Sequence, residues 1–216
     1  MNEFLNLYKK GGASYERLAF DYLVGDLLIK DRRGGDKARE ITALDMESKA
    51  PIDFVPGMIY TFLYITGDRM EDLNGVNGKK FKDNVPVILC FAGDSKSVSG
   101  LNFNLIPTDV RASILDIVVK LTKTPMYNDN GEFQVNETIA KLFSLQSGVT
   151  SFLKYVSKET GLNVSSAVRK YNVANIKKLR MIEYDMWKYI PFLNFKDAIR
   201  GAGLADLQAD MIKDNR

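Results

Sequence analysis

The chain reads as an α+β protein: a small antiparallel β-module, with an SH3-like barrel as its candidate form, flanked by an N-terminal helix and a C-terminal helical region. Three observations predict this class. Apolar, strand-length runs stand at 58–65, 85–91 and 101–106, separated by polar, turn-rich stretches. The last run passes at once into TDVRASILDIVVKL, where Val110, Ile114, Ile117, Val118 and Leu121 recur at helical spacing. Beyond Pro125 the apolar positions follow helical periods. The division expected is a flexible or docking arm at 1–13, a core module at 14–124, and a helical extension at 125–216 with a returning strand near 178–184.

The arm ends in Lys9-Lys10-Gly11-Gly12. Ser14 is the candidate cap of a helix carried by Tyr15, Leu18, Tyr22 and Leu27-Leu28, which Gly34-Gly35 breaks. Pro56-Gly57 turns the chain into the first strand, rich in aromatic and β-branched residues. The stretch from Thr66 to Asn84 carries Asn74-Gly75 and Asn77-Gly78, which supply the positive φ of tight turns and predict a long hairpin connection. Val85 to Phe91 is almost uniformly apolar, as in a strand buried on both faces. Leu101, Phe103 and Leu105 alternate with Asn102 and Asn104, the pattern of a strand with one wet face. Pro107 with Thr108 or Asp109 then opens the helix. Further helices are expected at about 136–147, 149–159 and 164–173, with Asn163 or Ser165 capping the third, and a polar helical tail at 195–213.

With 216 residues, 45% apolar and 26% charged, the chain has the balance of a globular protein able to bury a core without staples. A net charge of +3 neither demands nor excludes nucleic acid. The absence of histidine removes the commonest general base and metal ligand, and with it any Ser–His or Cys–His nucleophile within one chain. A single cysteine, Cys90, sits inside VPVILCF and reads as a small core residue. No apolar run approaches the roughly 18 residues of a membrane span, and the N-terminus lacks a signal-peptide core, so assembly in the cytoplasm is expected. The expectation is a non-enzymatic protein without cofactor or metal.

The strongest local charge asymmetry is Arg169, Lys170, Lys177, Lys178 and Arg180, since no acid falls between Thr160 and Ile182. With Tyr171 and Asn172 inside it, this run is the candidate DNA-binding patch, neutralising phosphates without reading sequence. A solvated helix face and an acidic protein partner are the alternatives. Glu47-Ser48-Lys49, with Asp45 and an upstream Asp21 or Asp26, has the Glu-x-Lys form of some metal-dependent nucleases. It lacks the flanking apolar strand and meets Pro51. GDSKS at 93–97 lacks the spacing of a phosphate loop and reads as a hairpin loop. Trp187, Tyr184, Tyr189 and Phe192 read as core or as an assembly contact.

The block PGMIYTFLY, FKDNVPVILCF and GLNFNLIPTDVRASILD resembles a segment of tailed-bacteriophage virion proteins, the DNA end protectors of T-even-type phages and their relatives. Pro56-Gly57, Pro86, Gly100-Leu101-Asn102, Pro107, Arg111 and Leu115-Asp116 occupy the matching places, and RMIEYDMWKYIPF is similar to the Trp-containing end segment. The likeness covers Pro56 to Leu121 well and the last 40 or so residues weakly. It departs at Phe103-Asn104, where that family usually carries His-Tyr. The resemblance implies a structural virion component of the neck, tail or capsid interior, in a larger symmetric assembly with other virion proteins, that binds or protects the end of packaged double-stranded DNA. A purely structural protein–protein adaptor without DNA contact is the alternative, and a divalent-metal nuclease a third. The motif residues themselves read as scaffold: turns, an edge-strand proline and helix-packing leucines.

Overall fold

In a computed structural model, which describes residues 2–20, 22, 54–64, 73–74, 80–81, 85–122 and 137–193, the apolar runs at 58–65 and 85–91 supply two central strands of one sheet. The strands are β1 (Ile59–Tyr64), β2 (Leu73–Asn74), β3 (Lys80–Phe81), β4 (Val87–Gly93), β5 (Ser97–Asn102), β6 (Val168–Asn172) and β7 (Ile176–Ile182). Five of them make an antiparallel sheet in the order β6-β5-β4-β1-β7, and β2 pairs with β3 as a separate ribbon. The helices are α1 (Glu3–Lys10), α2 (Ala13–Phe20), α3 (Thr108–Thr122), α4 (Glu137–Ser144) and α5 (Gln146–Thr160).

The sheet is curled into a half-barrel. β1 and β6 are separated by two strands, which in a flat sheet would hold them about 14 Å apart at ~4.8 Å per strand. Yet the Tyr64 and Tyr171 rings lie edge to face with centroids 5.0 Å apart, and the Asn172 amide donates to the Tyr64 hydroxyl at 3.3 Å. Strong curl is the only way these strands meet. On the inner face Met58, Tyr60, Phe62, Ile88, Cys90 and Leu179 form one apolar cluster. On the outer face Ile59, Leu63, Val87, Leu89, Phe91 and Leu101 pack on the helices in a second. Period-two placement therefore explains why β1 and β4 are apolar at nearly every position: both faces are covered.

Helix α3 organises the outer layer, and two of its buried polar residues fasten α1 and the segment that ends at Leu193. The Asp116 carboxylate accepts the amides of Phe4 and Leu5, each at 3.0 Å, and so caps the first turn of α1 from 112 and 111 positions away. The side chain of Asn2, at the usual cap position, instead accepts from Lys120 Nζ at 3.0 Å. Arg111 donates from Nε to the Ile106 carbonyl at 2.8 Å and from Nη1 to the Leu193 carbonyl at 2.6 Å, holding the 3-10 segment Tyr184–Phe192 against α3. Trp187 is fully buried in that segment and donates to the Ile182 carbonyl at 3.0 Å.

Several expectations are corrected. The described part of the expected arm at 1–13 is not free: α1 lies in the chain's own core, with Phe4 buried and its ring against Tyr184. The alternation at 101–106 located buried residues but not a strand. The Asn102 side chain accepts the Asn104 amide at 2.9 Å, bending Phe103–Leu105 into a 3-10 turn, and the strand lies earlier, in SVSGLN. Helix α3 begins at Thr108 itself, whose hydroxyl bonds the Tyr8 hydroxyl at 2.7 Å. Pro86 precedes β4 in the middle of the sheet, so it is not an edge-strand proline.

The helix expected at 164–173 is a 3-10 turn, Val164–Ala167, followed by β6. Val164, Ala167, Val168 and Tyr171 happen to stand at helical spacing while facing the core from a turn and a strand. Residues 168–182 therefore complete the sheet, so this part of the expected extension belongs to the module; the expected returning strand is β7. The other two helices match α4 and α5. The outer part of the first helix beyond residue 22, the Asn-Gly turns at 75–79 and the tail at 195–213 lie outside the described residues. No helix among the described residues is long and apolar enough to cross a membrane.

Candidate nucleic-acid interface

The basic run is divided by the fold. Arg169 and Lys170 lie on β6, and Lys177, Lys178 and Arg180 on β7, the two outer strands of the sheet. They are consecutive in the chain because the 3-10 turn Val173–Asn175 carries one edge of the half-barrel to the other. The Asn172 side chain starts that turn by accepting the Ala174 amide at 3.0 Å.

The five cations are not equivalent, and the side chain of Lys178 lies outside those described. Lys170 and Lys177 are exposed on either side of the turn. Arg169 is half-buried, with Nη1 donating to the carbonyls of Ser166 at 2.7 Å and Val168 at 2.8 Å. Arg180 is only 7% exposed, and it pairs across the ladder with Thr61 on the face turned to the helices. As a member of a surface DNA patch Arg180 is thereby corrected: it lies buried on the outer, helix-packed face of the sheet. Tyr171 is no stacking surface either. It is 3% exposed, with its hydroxyl held by the Asn102 amide nitrogen at 2.7 Å.

The fold brings in one cation that the run does not contain. The β4–β5 hairpin tip reaches the same turn, where the Val173 amide donates to the Lys96 carbonyl at 2.9 Å. Lys96 is exposed. GDSKS is thus a hairpin loop, as its spacing implied: Asp94 Oδ1 accepts the amides of Lys96 and Ser97, both at 2.7 Å, and the Asp94 amide donates to the Ser97 carbonyl at 2.9 Å. The Lys96 and Ser97 amides, with the charges of Lys170 and Lys96 nearby, hold the Asp94 carboxyl below its ordinary value of 3.8. Only long-range pairing could have joined Lys96 to residues more than seventy positions on.

At this end of the half-barrel, then, Lys96, Lys170 and Lys177 surround a single turn, with Asp94 beside them. Compact ammonium groups on such a rim attract phosphates as point charges, without the planar fork that reads a base edge. Elsewhere Cys90 is buried, its thiol pushed up to about 12, which makes it a core residue and not a nucleophile. Among the described residues no group of three or more His, Cys, Asp or Glu could hold a metal ion. Asp45, Glu47, Lys49, Asp21 and Asp26 lie outside the described residues. Comparison with family models finds no match, and comparisons with curated proteins and with solved structures find no significant match.

Proposed function

We propose that the protein is a non-enzymatic structural component of a tailed-bacteriophage virion that contacts the end of the packaged DNA through the cations around the 173–175 turn. The observation that carries the DNA contact is the placement of exposed Lys170 and Lys177 on either side of that turn, with the Lys96 carbonyl bonded to its first amide. The resemblance of Pro56–Leu121 to phage DNA end protectors supplies the kind of partner. Its motif residues act as scaffold. Pro56-Gly57 forms a type II turn, with Gly57 at φ 90 and the Met58 amide donating to the Val55 carbonyl at 3.2 Å, while Arg111 holds Leu193 and Asp116 holds α1.

The test is duplex-DNA affinity as a function of salt for the wild type and for a Lys96→Ala, Lys170→Ala, Lys177→Ala triple variant. Each phosphate contact contributes about 0.9 to the log–log salt slope, so the triple variant should lose up to about 2.7 of it and bind weakly. An unchanged slope removes these lysines from DNA contact. The second reading, an adaptor between virion proteins, is favoured by the burial of Arg180 and by exposed large apolar side chains, Leu18 at 49%, Leu145 at 61% and Tyr155 at 44%. It expects no DNA affinity in the wild type at all.

A further inference from the structure

The hairpin tip holds two opposing contributions in one residue. Asp94 places a negative charge among lysines that are to meet phosphates, which by itself weakens anion binding. The same carboxylate closes the Asx turn that fixes the Lys96 backbone, through its bonds to the Lys96 and Ser97 amides. That backbone in turn reaches the neighbouring turn through the Lys96 carbonyl and Val173 amide. We propose that Asp94 is the positioning residue of the phosphate-contact site: its Asx turn locks the β4–β5 tip onto the 173–175 turn and presents Lys96 beside Lys170, at the expense of charge. The inference rests on the DNA-contact reading above, and it adds to that reading a residue whose sign of charge is wrong for DNA and whose geometry is right.

The two contributions separate cleanly in a pair of substitutions. Asp94→Asn keeps an oxygen able to accept both amides and removes the charge, while Asp94→Ala removes both. The measurements are the exchange rate of the Val173 amide and the affinity for a short blunt-ended DNA duplex at low salt, on the full chain. For Asp94→Asn, Val173 exchange should stay within about twofold of wild type and DNA should bind about threefold tighter. For Asp94→Ala, Val173 exchange should accelerate by roughly fivefold or more, and DNA affinity should fall to wild-type level or below despite the lost carboxylate. Equal tightening in both variants would overturn the positioning role and leave Asp94 as a bare charge. Unchanged Val173 exchange in Asp94→Ala would overturn it as well, whatever the DNA result. A wild type that binds no duplex fails the underlying reading instead, and the exchange data distinguish that failure from a tip that was never anchored.

Discussion

Replacing Asp116 by alanine should loosen the N-terminus of the protein more than any other single exchange in α1 or its surroundings that leaves apolar packing intact. Helix α1 has eight residues, too few to persist alone in water, so it depends on what it docks against. Its own cap position does not serve it, because the Asn2 side chain is turned to Lys120. The first-turn amides of Phe4 and Leu5 are satisfied by the two Asp116 oxygens, one amide buried and the other partly so. A hydrogen bond to a charged group contributes roughly 1.5–3 kcal/mol when buried and less when half-exposed, so losing both should cost about 3 kcal/mol. For a domain of this size that corresponds to roughly 6–12 °C in Tm. Asp116→Asn keeps one acceptor oxygen, sets an amide NH2 against the second N–H, and should cost about half as much. Urea denaturation gives the total, and amide exchange at Phe4 and Leu5 reports the local part. If Asp116→Ala stays within about 0.5 kcal/mol of wild type with α1 amides equally protected, α1 is not held by this carboxylate and the reasoning fails.

Three further changes probe the core. Thr61→Val should stabilise the protein by about 1 kcal/mol in denaturant titration, because the buried Thr61 hydroxyl has no hydrogen-bond partner among the described residues and its loss forfeits none there; a destabilisation would show that the hydroxyl is engaged. Gly148→Ala in α5 should destabilise by more than about 2 kcal/mol even though alanine favours helices by about 1, since the new Cβ would run into the Leu142 carbonyl at the α4–α5 corner; a raised Tm would mean that the corner gives way. Cys90 should resist alkylation at pH 8 in the native state and react fully in denaturant, because burial raises its pKa from 9.0 to about 12. The sign follows for pH: an acid harder to ionise when folded leaves the unfolded state favoured as pH rises above 9.0, so stability should decline there and not at neutral pH.

The legible part of the fold was the part written in short-range periods. β1, β4, β7 and α3–α5 follow from apolar runs, helical spacing and turn residues, whereas of the third expected strand, 101–106, only the first two residues belong to β5. Two failures have related causes: Asn102 accepts the amide two positions on and ends β5 in a 3-10 turn, and Asn163 accepts the Ser165 amide and starts the 3-10 turn that stands where a helix was expected. The docking of α1 was invisible because its cap lies on α3, more than a hundred residues away. The candidate site was half legible. Local charge asymmetry marked Lys170 and Lys177. Only strand pairing reveals that Arg180 is buried on the helix-packed face and that Lys96 joins them.

The most direct test of the central claim is photo-crosslinking in assembled particles, with a photoreactive residue at position 96 or 170 of the chain. The account predicts that the chain copurifies with virions and is recovered covalently attached to fragments from a terminus of the packaged DNA. Recovery attached only to neighbouring proteins, or absence of the chain from purified virions, would contradict it.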